Sequence, residues 1–108
     1  MIKCVYDRDR LRIEMTGHAG GRNNELGHDL VCCAASTLVQ TYFYAGSRLG
    51  HVMEMQMEHG HMMVQLDPDA TASAGFDRCF DTAVLGLMMI EEYHPNCIRV
   101  TSAVGDSH

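Results

Sequence analysis

"GHAGGRNNELGHDLVCCAASTLVQTYFYAGS", residues 17–47, changes character part-way along: a polar, glycine-rich half runs into a stretch, Leu30 to Ser47, with no Lys, Arg, Asp or Glu. Gly20-Gly21 and Asn23-Asn24 punctuate the backbone, so the segment from Gly17 to His28 reads as a loop. Asp29 stands where a helix begins, as an N-cap or first-turn carboxylate, and Gly50 suits its end. The pattern therefore predicts a helix from Asp29 to about Arg48. At about 100° per residue, Leu30, Ala34, Leu38, Thr41, Ala45 and Leu49 share one stripe. The opposite face, with Cys32, Val39 and Phe43, is uncharged too. A helix without a charged face is covered on both sides. In a domain this small a sheet covers one side and a second copy of the chain the other, which predicts a homodimer.

Working outward, Ile2 to Tyr6 reads as a strand and Asp7-Arg8-Asp9-Arg10 as a charged turn. Leu11, Ile13 and Met15 alternate with Arg12, Glu14 and Thr16, the period-2 pattern of a half-buried strand. Beyond the helix, Met53, Met55 and Met57 alternate with Glu54, Gln56 and Glu58, and Met62, Val64 and Leu66 with Met63, Gln65 and Asp67. His59-Gly60 fits a tight turn between them. Core packing accounts for the first methionine row. A second helix is expected from about Ser73 to Tyr93, with Phe76, Phe80, Ala83, Leu87 and Ile90 on one side; His94-Pro95 ends it. Cys97 to Thr101 is the last strand. The order ββαββαβ predicts an α/β (α+β) fold: one two-layer domain, residues 1–108, with two helices on a mixed β-sheet.

The chain has 108 residues, 46% of them hydrophobic and 20% charged, the make-up of a globular domain. A net charge of −6 disfavours nucleic acid and suits a basic protein partner. Met1-Ile2-Lys3-Cys4 does not open like a signal peptide. Ser36, Thr37, Gln40 and Thr41 interrupt the uncharged run, which argues against a membrane helix. Five cysteines, an odd number with no Cys-x-x-Cys, point to a reduced cytoplasmic protein rather than a disulfide framework.

Chemistry centres on Cys32. In the first turn of a helix starting near Asp29, unpaired N–H groups and the positive end of the dipole favour thiolate, the form that attacks a carbonyl carbon. A loop bracketed by Gly17 and Gly27 can fold back and bring His18 to that helix end as base or ion-pair partner. The competing reading makes Cys32 a small core hydrophobe. Cys32 and Cys33 lie about 100° apart, and helical phase alone does not choose between them. Cys4, Cys79 and Cys97 look like core positions. His59 and His61 beside the methionines have the softness for copper, but strand packing explains the methionines, and no metal or cofactor is expected.

The same residues carry a family resemblance. Gly17-His18-Ala19, a glycine-bearing loop, then Gly27, Asp29, Leu30, Val31, Cys32, Ala34 and Ser36 resemble the signature of the bacterial ribosomal-processing cysteine protease (Prp) family. That signature reads Gly-His-Ala, a loop, then Gly-x-Asp-[Ile/Leu]-Val-Cys-Ala-[Ala/Gly]-x-Ser. The resemblance puts the catalytic histidine on His18 and the nucleophile on Cys32. Asp29 and Ser36 fall on supporting positions, and Gly17, Ala19, Gly20 and Gly27 on the substrate loop. Cys33 takes the place of the usual alanine, and the loop is slightly longer than the family form. The implied activity is removal of a short N-terminal extension from large-subunit ribosomal protein twenty-seven by a homodimeric enzyme. A catalytically inactive module that binds the ribosomal precursor is the alternative.

Overall fold

The structure, a computed structural model, describes residues 1–17, 26–58, 60–70 and 75–104, and residues 26–29 by their backbone alone. Strands β1 (Ile2–Asp7) and β2 (Arg12–Thr16) form a hairpin, followed by helix α1 (Leu26–Arg48). The hairpin β3 (Val52–Glu58) and β4 (His61–Leu66) comes next, then a short helical turn at Pro68–Ala70, helix α2 (Phe76–Tyr93) and strand β5 (Ile98–Ser102). The order is the expected ββαββαβ, and the fold is α+β.

The five strands lie in the order β3-β4-β2-β1-β5. β5 runs parallel to β1 and every other neighbour is antiparallel, so the sheet is mixed. The register lines Val100, Cys4, Met15 and Met62 across four strands, and Ile13 with Val64 across two. Both helices cover that apolar face, α1 over β4 and β3 and α2 over β5. Val31, Ala35, Val39 and Tyr42 of α1 and Phe76, Phe80, Val84 and Leu87 of α2 fill the space against Ile2, Ile13, Val64 and Ile98. Phe80 meets the Tyr42 ring edge-on at 5.9 Å between centroids. The Tyr42 hydroxyl donates to the Leu11 carbonyl at 2.7 Å, so its one polar atom is satisfied inside the core. At the surface, Arg8 grips both carboxylate oxygens of Asp81 at 2.9 and 3.0 Å, joining the β1–β2 turn to α2.

Four sequence expectations need correction. α1 begins at Leu26, not Asp29, so Gly27 belongs to the helix and not to a loop, and Asp29 is the fourth helical residue rather than its cap. Its core stripe is Val31, Ala35, Val39 and Tyr42, whereas Leu30 and Leu49 of the expected stripe are 61% and 55% exposed. With no charge on any face, the pattern contained nothing to orient the helix. The methionine row of β3 is not core: Met53 and Met55 are exposed, and only Met57 packs against the buried cluster. β3 is an edge strand, and a register shift between Val52 and Glu54 sets Met53 out of the alternation. Finally, α2 starts at Phe76 rather than Ser73, which itself lies outside the described residues.

Both β2 and β3 run antiparallel to β4, so they are parallel to each other and α1 is the crossover between them. The end of β2, the start of α1 and the β3–β4 turn therefore gather at one end of the molecule. Gly17 marks that end: its N–H donates to the Gly60 carbonyl at 3.0 Å.

Candidate active site

With α1 starting at Leu26, Cys32 is the seventh helical residue and sits in the second turn. It lies about 9 Å along the axis from the first residue at 1.5 Å per residue. The unpaired amides belong to the first turn, where the dipole is strongest. The expected first-turn placement of Cys32 does not hold. Residues 26–28 looked non-helical because Gly27 lowers helix propensity and Glu25, the residue just before Leu26, is not a preferred capping type. A long helix packed along its length overrides such a local penalty.

Helical phase orients the two thiols differently. The core stripe is centred near Ala35, and Cys32 lies about 60° to one side of it, whereas Cys33 lies on the far side. Cys32 is accordingly half-buried and packed against the core cluster, while Cys33 is exposed. The Cys33 carbonyl accepts the Thr37 hydroxyl at 2.8 Å. Leu38, on the other side of the stripe, packs against Gly86 of α2. The flank carrying Cys32, Ser36 and Phe43 therefore faces away from α2, toward the β3 edge of the sheet. Ser36, one turn beyond Cys32, is half-buried there.

The remaining cysteines are placed less well for attack. Cys4 is 1% exposed, and burial, with a smaller contribution from the Glu91 carboxylate, pushes its thiol up to about 12, so it stays protonated. Cys97, 7% exposed, is buried in the same core cluster. Cys79 lies in the interhelical groove with Leu38, Thr41 and Tyr42. Cys32 alone among the five combines a rigid packed base with partial exposure on the flank facing the open sheet edge.

Residue 18 follows Gly17, whose own position is closely defined. Its φ is +91°, and a Cβ built on it runs into the Met1 carbonyl oxygen, so only glycine fits. His18, Ala19 and Gly20 lie outside the described residues, and of Gly27 and Asp29 only the helical backbone is described. The histidines with described side chains are engaged elsewhere. His61 Nε2 lies 2.6 Å from Glu14 Oε2, and His51 meets Phe76 edge-on at 5.7 Å. His94 borders a hollow of about 270 Å³ with Leu30, Ala34 and Ile90, on the α2 side of α1. Among the described residues no three His, Cys, Asp or Glu side chains converge as a metal site would require.

A protein-family model, cysteine protease Prp, matches residues 1–99. The chain belongs to the Prp cysteine protease family. It is thus a cysteine protease, and the question left to its side chains is which sulfur attacks. The solved structure of SMU.848 from Streptococcus mutans is similar at 26% identity, over 94% of this chain and 93% of that one, with a TM-score of 0.75. The essential ribosomal processing protease Prp from S. aureus shares the fold. Its complex with a covalently linked product peptide gives a TM-score of 0.73 at 24% identity, over 94% of this chain and 99% of that one. Its complex with a substrate peptide gives 0.75 at 22% identity over the same shares. No curated protein matches the chain closely. Among the described residues no helix is long and apolar enough to cross a membrane.

Proposed function

We propose that this Prp-family protease removes the short N-terminal extension of a bacterial large-subunit ribosomal protein, number twenty-seven, with Cys32 as nucleophile and His18 as base. The observation that carries the reading is the half-buried Cys32 on the α1 flank, at the end of the sheet where β2 delivers Gly17, the residue before His18. The Cys32 sulfur, having passed its proton to His18, attacks the scissile carbonyl carbon to give a tetrahedral oxyanion. The C–N bond breaks, His18 returns the proton to the leaving amine, and a thioester remains on Cys32. Water, deprotonated by His18, then releases the acid and restores the thiol. Backbone N–H groups supply the oxyanion contacts. Asp29 supports the site as orienter of His18 or as a first-turn carboxylate, Ser36 supports it by a local hydrogen bond, and Gly17, Ala19, Gly20 and Gly27 shape the approach of substrate.

The substrate chemistry matches the charge. A chain of net charge −6 attracts a basic ribosomal protein by its long-range field. The uncharged exposed face of α1, with Leu30 and Tyr44 61% and 58% exposed, supports the homodimer. Reduced cysteines and a ribosomal substrate support a cytoplasmic setting.

The test is cleavage of a synthetic peptide spanning the extension and its junction, comparing the wild type with Cys32→Ala, Cys33→Ala and His18→Ala. Cys33→Ala retains activity and the other two lose it. Cleavage that survives Cys32→Ala would sink the assignment.

A further inference from the structure

The sheet has two edges, and they are unlike. On β5 the Val100 N–H is taken by Glu91 of α2 at 3.0 Å, so a side chain occupies the middle of that edge. β3 has no such cap among the described residues. It bonds β4 through alternate residues, and the others turn N–H and C=O outward. Met53 and Met55 are 57% and 45% exposed on this strand. The pairings Met55 with Val64 and Met57 with Met62 set both methionines on the helix-bearing face, beside the flank of Cys32, Ser36 and Phe43. Glu54 and Glu58 line the opposite face of the same strand: the Glu54 side chain, 61% exposed, lies 3.9 Å from the Arg12 guanidinium, and Glu58 accepts from the Gln56 amide at 3.3 Å, so each keeps a carboxylate oxygen for an incoming cation.

We propose that β3 is the substrate track: the peptide segment leading to the scissile bond adds to this edge as a sixth strand. Its alternate apolar side chains rest on Met55 and Met57, and its basic ones face Glu54 and Glu58. Strand addition supplies sequence-independent main-chain bonds, and the two faces supply selectivity. Thioether side chains adapt to varied apolar groups, aromatic ones included. A second copy fits this edge poorly, because an antiparallel β3–β3 pair centred on Gln56 sets Glu54 of one copy against Glu58 of the other. A basic peptide meets opposite charge instead. The proposal rests on the assignment of Cys32 as nucleophile.

The experiment uses full-length Cys32→Ala protein and a fluorescent peptide spanning the extension, with variants of that peptide N-methylated at one residue at a time. Methylation at alternate residues weakens binding about tenfold or more, and at the intervening residues leaves it unchanged, because only alternate N–H groups face β3. Amide exchange across residues 53–57 slows on binding. Glu54→Lys with Glu58→Lys raises Kd about tenfold. A uniform methylation profile, protection on β5 in place of β3, or a Kd indifferent to the charge reversal overturns the track. These readouts need no cleavage, so they fail separately from the nucleophile assignment, which fails if Cys32→Ala still cuts.

Discussion

Gly17→Ala ties the fold to the chemistry. The glycine has φ +91°, and an added Cβ collides with the Met1 carbonyl oxygen and sits 3.7 Å from Ile2 Cα. Both neighbours are backbone, and Ile2 cannot retreat, since it is fully buried and its N–H donates to the Cys97 carbonyl at 2.9 Å. The positive φ costs about 1–2 kcal/mol for an L-residue. The overlap adds about 1–3 kcal/mol, giving roughly 3 kcal/mol in all. Gly50→Ala is the control: its φ is +75° and nothing lies within 4 Å of the new Cβ, so only the backbone term applies. The two variants should lose about 15 °C and about 5 °C in Tm, respectively. At 25 °C a domain of ordinary stability stays folded after such a loss. Even so, kcat/KM on the extension peptide should fall about 100-fold for Gly17→Ala, because the residue it redirects is His18. Gly50→Ala should stay within about twofold of wild type by the same argument. Thermal unfolding and steady-state cleavage on all three proteins decide the matter. Equal Tm values and equal kcat/KM for the two variants would refute the reasoning.

At pH 8, iodoacetamide should modify the exposed Cys33 well before the buried Cys4 and Cys97, as read by peptide mass spectrometry; Cys4 reacting at the rate of Cys33 would contradict the packing. Cys4 also sets an alkaline limit. Its thiol titrates at about 12 in the fold against an ordinary 9.0. Its contribution is therefore full below about pH 9 and is lost at about 1.4 kcal/mol per pH unit up to about 12. Cys4→Ala should flatten that limb in urea titrations run at successive pH values, and an unchanged slope would rule Cys4 out as its source. Tyr42→Phe should cost only about 1 kcal/mol in urea unfolding, because the Leu11 carbonyl keeps the Leu66 N–H at 3.2 Å as a second partner. A loss of about 3 kcal/mol, the scale of an unsatisfied buried polar group, would show that the second bond does not hold.

The element order was legible in the sequence because each element carried its own period. Ile13 and Met15 are buried as their alternation required, and Phe76, Phe80, Ala83 and Leu87 form the buried stripe of α2. The paired blocks around Gly17-His18-Ala19 and Cys32 were enough to indicate the Prp family, because they are local signatures that survive without any knowledge of packing. The strand order was not legible. The parallel pairing of β1 with β5 joins segments nearly the whole chain apart, and no local pattern encodes it.

By itself the sequence determined which segments become strands and helices, the family, and the residue types available for catalysis. Only the tertiary structure decided which stripe of α1 meets the sheet, and hence that Cys32 is half-buried while its neighbour Cys33 is exposed. It also decided that Met53 and Met55 lie bare on an edge. The physical reason is common to both. Period reports only that one face of an element is apolar, and an apolar face is buried only where another layer reaches it.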